Sequence, residues 1–269
     1  MSKLPKFTPR DLNLEVDALK YVDNHCHLYT YDDVDSVISK AKELGVVKIV
    51  AVSPSYERAV QNQELMKKYR DTVLLSVGYA PKSMIEKGID YKTANSEIEG
   101  FLKEHRKNVF SIGEIGLYEK YRGKKQRTLF SKMLKLANDY ELGVNVHSAG
   151  LEKEVLEYLK GFDYPVVLHA FQGVEQAKKA CDRGYYISIA PEGAIGSGAF
   201  KKELEIIKNP KIPIEKLLTE SDGSVKDGKI KRSVPSDVVG ITELISKEKD
   251  MELKDACKIL FNNYEMLSR

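Results

Sequence analysis

The segment KYVDNHCHLYTYDD, residues 20–33, carries two histidines two positions apart, just after a short apolar run. Residues i and i+2 of a strand point to one face, so His25 and His27 aim two imidazoles at one place. The residues after them decide the fold. An open, doubly wound sheet usually places a glycine-rich phosphate loop after its first strand. Here the strand runs into HLYTYDD, which has no glycine. A closed (β/α)8 barrel needs no such loop. Taken alone, the histidine pair reads equally well as metal ligands or as polar residues at a strand end.

Seven further runs rich in Val, Ile, Leu or Tyr follow. With the first they give eight expected strands: 20–25, 47–53, 73–78, 109–114, 143–148, 166–170, 185–190 and 217–222. Amphipathic stretches of helical period separate them. VDSVISKAKELG puts Val34, Val37, Ile38, Ala41 and Leu44 on one face and ends on Gly45, a residue suited to a helix C-terminus. QRTLFSKMLKLANDYELG carries a broader apolar stripe, EKEVLEYLKG and VEQAKKACDRG repeat the pattern, and helices near 234–248 and 252–267 close the chain. Strand and helix in alternation imply parallel strands with right-handed crossovers. Eight such units point to the α/β class and to a single-domain (β/α)8 TIM barrel over 1–269.

Bulk composition sets limits. The 269 residues hold 43 Lys and Arg against 40 Asp and Glu, a net charge of +3. That balance by itself gives no argument for a nucleic-acid partner. No apolar run approaches the roughly 20 residues of a membrane span, and the start, MSKLPKFTPRDL, lacks the apolar core of a secretory signal. Cys26, Cys181 and Cys257 are few and far apart, which argues against a disulfide framework and for the cytoplasm. Cys26 is turned away from its flanking histidines by strand alternation, and the other two fall on amphipathic helices, so all three are expected to pack in the core.

The polar residues at the strand ends form a pattern. His25 and His27 end strand 1, Glu114 ends strand 4, His147 strand 5, His169 strand 6 and Asp222 strand 8. The fifth histidine, His105, lies in FLKEHRKN and reads as a solvent-facing helix residue. In a barrel the C-terminal strand ends share one mouth. Four imidazoles and two carboxylates at one mouth suit Zn, Mn, Fe or Ni, and a carboxylate can bridge two ions. Each residue also has a plainer reading. A lone histidine can be a hydrogen-bonded structural residue, either carboxylate can cap a helix, and Asp222 before Gly223 can make a turn.

The ordered set DNHCHL, SIGEIGL, NVHSAG, VVLHAFQG and LTESDG resembles the TatD family of metal-dependent hydrolases, from about residue 20 to the end. VPSDV and ILFNNYEMLS are similar to that family's C-terminal segment. The resemblance implies one or two divalent ions (Zn, Mn, Mg, Ni or Co). His25, His27 and Asp222 would hold the first, His147 and His169 the second, and Glu114 would bridge them. Glu114 and Asp222 would be catalytic, with Asp222 orienting or deprotonating the attacking water. It also implies hydrolysis of a phosphodiester, with DNA as the expected partner.

The sequence departs from the family pattern at Ala80, Tyr118, Ala149 and Ser224, where a histidine, an acidic residue, a basic residue and a proline are usual. A phosphate held by that histidine and basic residue loses both partners here. Basic segments KYRGKKQR and VKDGKIKRS leave the mouth side, and Tyr79, Tyr118 and Tyr121 are candidates for stacking on bases. These departures keep open a hydrolase of another ester or amide, and a metal- or ligand-binding barrel without catalysis.

Overall fold

The computed structural model describes residues 19–268 apart from 122, 224, 227, 228, 231 and 232, with the side chains of 225, 226, 229 and 230 also outside the described set. Residues 1–18 of the expected 1–269 domain therefore lie outside it. The eight apolar runs form β1 (Tyr21–Cys26), β2 (Val46–Ser53), β3 (Val73–Val77), β4 (Val109–Gly116), β5 (Gly143–His147), β6 (Val166–His169), β7 (Tyr186–Ile189) and β8 (Leu217–Thr219). They pair side by side in chain order, all parallel. This is the (β/α)8 barrel expected from the alternation. Strand 8 is shorter than its apolar run because the chain leaves the sheet before Asp222, whose φ is +43°.

Helices α1 (Val34–Glu43), α2 (Tyr56–Lys68), α3 (Pro81–Glu86), α4 (Tyr91–His105), α5 (Lys124–Asp139), α6 (Glu152–Tyr158), α7 (Val174–Asp182), α8 (Glu192–Ile195), α9 (Ser197–Lys208), α10 (Val238–Glu248) and α11 (Leu253–Met266) surround it. Local chemistry sets their ends. Asp33 caps α1 by accepting from Ser36 N, and Asp90 caps α4 by accepting from Lys92 N and Thr93 N. The broad stripe of α5 buries Leu129, Phe130, Met133, Leu134, Leu136 and Ala137 against the strands. His105 ends α4 with its side chain one-third exposed (33%) and its ring edge-on to Phe101 at 4.9 Å. It is therefore partly covered, not the freely solvated residue its polar neighbours implied.

Val22, Val167, Tyr186 and Leu218, near the starts of their strands, pack with Tyr264 and Leu267 at the chain's end, filling the barrel's N-terminal opening. Asn263 Nδ2 ties α11 to the carbonyls of Ile214 and Leu217 at 2.8 and 2.7 Å.

The joint between β1 and β8 differs from the others. No ladder pairs these two strands among the described residues. Side chains do the joining: Thr219 Oγ1 donates to Val22 O (2.8 Å), Asn24 Nδ2 to Thr219 O (3.0 Å), and Ser221 N and Oγ to the Asp23 carboxylate (2.9 and 2.6 Å). Among the described residues the backbone bonds across this joint lie at the mouth, from Asp222 N to His25 O and from His27 N to Gly223 O. No helix of the described residues is long and apolar enough to cross a membrane.

Candidate metal centre

All six expected residues reach the C-terminal mouth, and local irregularities help to aim them. The β1 ladder slips between Asp23 and Cys26, where His25 lies. The β4 ladder slips between Ile112 and Ile115, where Glu114 lies. An extra residue in one strand re-aims a side chain. His147 and His169 end β5 and β6 and pair in register. Gly116 makes the close approach of β4 to β5 possible: its φ is +136°, and a Cβ there would stand 2.0 Å from His147 O. This is a physical reason for the second glycine of SIGEIG.

The donor atoms converge. Three sets lie with their donors within 4.8 Å of one another: His25, His169 and Asp222; His25, His27 and Glu114; and Glu114, His147 and His169. His27 Nε2 is 3.4 Å from Asp222 Oδ1 and 3.7 Å from Glu114 Oε2, and His147 Nδ1 is 3.4 Å from Glu114 Oε1. His25 Nε2 and both nitrogens of His147 are buried without a hydrogen-bond partner. Buried polar atoms are seldom left unpaired. Neutral imidazoles with free lone pairs beside two carboxylates are the donor set a divalent ion requires, so the residues fit a metal.

Residues beneath the cluster, missed in the sequence reading, set its tautomers. Asn145 Nδ2 donates to Asn24 O, so its Oδ1 faces His25 Nδ1 at 2.8 Å. That bond assigns the His25 proton to Nδ1 and leaves Nε2 toward the cluster. Glu220, fully buried, accepts from His169 Nδ1 at 2.7 Å and from Ala170 N at 3.0 Å. This is the carboxylate–histidine pairing that orients metal ligands. Both residues stand two positions before a candidate ligand, so period-two spacing was the available signal.

Electrostatics follow the same geometry. Burial, then the nearby imidazoles of His169 and His27, holds His25 well below its usual range. Burial also holds His147 down at about 3. Burial lowers His169 as well, but the charge and hydrogen bond of Glu220, with Asp222 and Glu114, outweigh it and push it up to about 9. For Asp222, burial is outweighed by the His27 hydrogen bond and the imidazoles of His169, His27 and His25, so its carboxyl stays far below the usual carboxylate range.

The substrate side differs from expectation in one respect. Tyr79 is buried (1% exposed), so it is not available to stack on a base. It follows β3 and turns inward into the apolar core shared with Ala94 and Ile98 of α4. Ala80 is buried at the start of α3. Tyr118 lies flat on His147, with ring centroids 4.0 Å apart and planes at 3°, and Tyr121 tilts against Tyr118 at 5.7 Å. Of the basic residues in KYRGKKQR, Arg127 is committed to Glu154 through two bonds of 2.5 and 2.7 Å, and Arg122 lies outside the described residues. So do Ser224 and the side chains of 225–232, whose backbone pairs 225–226 with 229–230. The three cysteines are free and buried, as expected.

The family model described as TatD related DNase matches residues 22–269. The chain belongs to this family of metal-dependent hydrolases. It is 30% identical over 251 residues to the uncharacterized metal-dependent hydrolase MJ1582 of Methanocaldococcus jannaschii, covering 91% of this chain and 95% of the relative. Human deoxyribonuclease TATDN3 is 27% identical over 260 residues, covering 90% of this chain and 92% of that protein. The crystal structure of the TatD homolog YjjV of Escherichia coli superposes with a TM-score of 0.80 at 23% identity, over 92% of this chain and 97% of that one, which supports the fold.

Proposed function

We propose that this hydrolase cleaves a phosphodiester bond in DNA with water, using one or two divalent ions held at the barrel mouth. The observation that carries the reading is the convergence of four histidines and two carboxylates with buried, unpartnered imidazole nitrogens. His25, His27 and Asp222 would hold one ion, His147 and His169 the other, and Glu114 both. When bound, such ions lower the pKa of a water and polarise a phosphoryl oxygen. Asp222 remains ionised at neutral pH, so its carboxylate can accept a hydrogen bond from that water and orient it for attack. His169 is fixed by Glu220 and His25 by Asn145, so both rings are oriented before any substrate arrives. Tyr118 covers one face of His147 and excludes water from it. The family model and the deoxyribonuclease names of relatives support DNA as the substrate. The cytoplasm suits three free cysteines.

The deciding experiment incubates the protein, loaded in turn with Mg, Mn, Zn or Co, with single-stranded and duplex DNA. Product strands are expected with at least one ion. Turnover of simple esters or amides with no DNA cleavage under any of the four would replace this reading by a hydrolase of another bond.

A further inference from the structure

Beyond the ligand cluster, one cation is tied to a ligand histidine through an aromatic ring. Tyr29 stands two residues after His27. Its ring meets the His27 ring edge-on at 5.9 Å, and its hydroxyl is 3.4 Å from His27 Nδ1. Arg58, in the first turn of α2, lays its guanidinium over the Tyr29 ring, with Cζ 4.5 Å from the centroid. Both side chains are half-buried. Arg58 Nη1 donates to Gln61 Oε1 at 2.7 Å, and no carboxylate pairs with it among the described residues. The adjacent Glu57 is engaged by Lys87 at 2.9 Å instead. A guanidinium offers five donors in a fixed fork, so Arg58 keeps most of them for a ligand. The tyrosine ring thus stands between His27 and the cation.

We infer that Arg58, seated on Tyr29, binds a phosphate of the substrate strand next to the one being cleaved. The ring stands between the guanidinium and His27, so the cation does not reach the scissile group. It reaches the neighbouring position, which only a substrate with more than one phosphate fills. Arginine suits this place because its planar fork grips phosphate oxygens in pairs and stacks on an aromatic face. Lys120 forms a weaker counterpart across the mouth: it lies 5.6 Å over Tyr121, but that hydroxyl is already bonded to Glu86 at 2.6 Å. The inference rests on the phosphodiesterase reading and makes Arg58 a specificity-determining residue within it.

Two substrates separate the possibilities: a single-stranded oligodeoxynucleotide, and bis(4-nitrophenyl) phosphate, which has one phosphate. Wild type, Arg58→Ala and Arg58→Lys are compared in the Mn-loaded form, with circular dichroism as a check of fold. For Arg58→Ala, KM on the oligonucleotide is expected to rise about tenfold or more, with kcat held within about twofold. Arg58→Lys should fall between, and the one-phosphate ester should be turned over as by wild type. The slope of log KM against log salt on the oligonucleotide should also drop by about 0.7, the value for one lost contact to a single strand. An unchanged oligonucleotide KM overturns the inference, and so does an equal loss on both substrates. If wild type cleaves neither substrate, the phosphodiesterase reading falls and this inference with it; if only Arg58→Ala fails to differ from wild type, the inference alone falls.

Discussion

Replacing Glu220 with glutamine is expected to flatten a pH dependence. In the metal-free protein His169 titrates near 9, against an ordinary value of 6.5. Burial opposes this, and the Glu220 charge and hydrogen bond lead the groups that overcome it. The folded chain therefore holds a proton that the unfolded chain releases between pH 6.5 and 9. Stability from this group is complete below 6.5 and is lost as pH rises through 9. Two and a half units correspond to about 3 kcal/mol. Metal binding runs the other way, because the ion must displace that proton. At pH 7 only about one His169 in a hundred is neutral, so affinity should rise about tenfold per pH unit toward 9.

Glutamine keeps the oxygen that accepts from His169 Nδ1 and Ala170 N but removes the charge. Glu220→Gln should flatten most of both slopes. Burial also pushes Asp23 up to about 8 from 3.8, so it too costs stability as pH rises over that interval. The informative quantity is thus the difference between wild type and variant. Urea denaturation of chelator-treated protein from pH 6.5 to 9, with competition titrations for Mn over the same range, measures both. Parallel slopes in the two proteins would show that Glu220 does not hold the proton on His169.

Asp222→Ala should fold normally and lose hydrolysis by about 10²–10⁴-fold; wild-type rates on DNA would remove Asp222 from its role at the attacking water. Gly116→Ala places a Cβ 2.0 Å from His147 O at a φ of +136°, so urea denaturation should show a loss of about 3 kcal/mol or more, and a loss below about 1 would contradict the close approach. Tyr118→Ala removes a half-buried ring stacked on His147 and should cost about 1–2 kcal/mol by the same measurement; no measurable change would mean that the stack contributes nothing to stability. On acidification between pH 6.5 and 3 the metal-free wild type should lose stability relative to His147→Gln, because buried His147, held at about 3, cannot take the proton its unfolded form accepts, while Asp23 acts alike in both proteins. A difference in melting temperature that stays constant across that range would refute it.

The barrel was legible because parallel strands buried on both faces read as apolar runs. The cluster at the mouth was legible because polar residues at strand ends break those runs at the place where a barrel has its mouth. Residues that depend on three-dimensional register were not. Nothing in DNHC or IGEI shows that the ladder slips there, since a bulge is defined by the partner strand. Tyr79 sits in VGYAP beside the mouth in sequence, yet it turns under α4, a direction that period-two reasoning cannot supply once the strand has ended. Asn145 and Glu220 were within reach of that reasoning, two residues before His147 and Asp222. Tyr29 and Arg58 were not, because their partnership joins the turn after β1 to a helix after β2.

The joint between the first and last strands gives the ligand cluster a second meaning. His25 and His27 belong to one side of it and Asp222 to the other, at the place where the barrel is closed by side chains in place of a continuous ladder. An ion held by these residues, as proposed, would act as a clasp on the hoop, and the free energy of its capture would be delivered to that joint. At a hundredfold excess over its dissociation constant this is worth about 2.7 kcal/mol. Metal scarcity should therefore loosen the hoop at β1 and β8 while β3 to β6 stay shut, with amide hydrogen exchange quickening first along Val22–His27. The protein would then report the metal supply through its own shape before it had lost its fold.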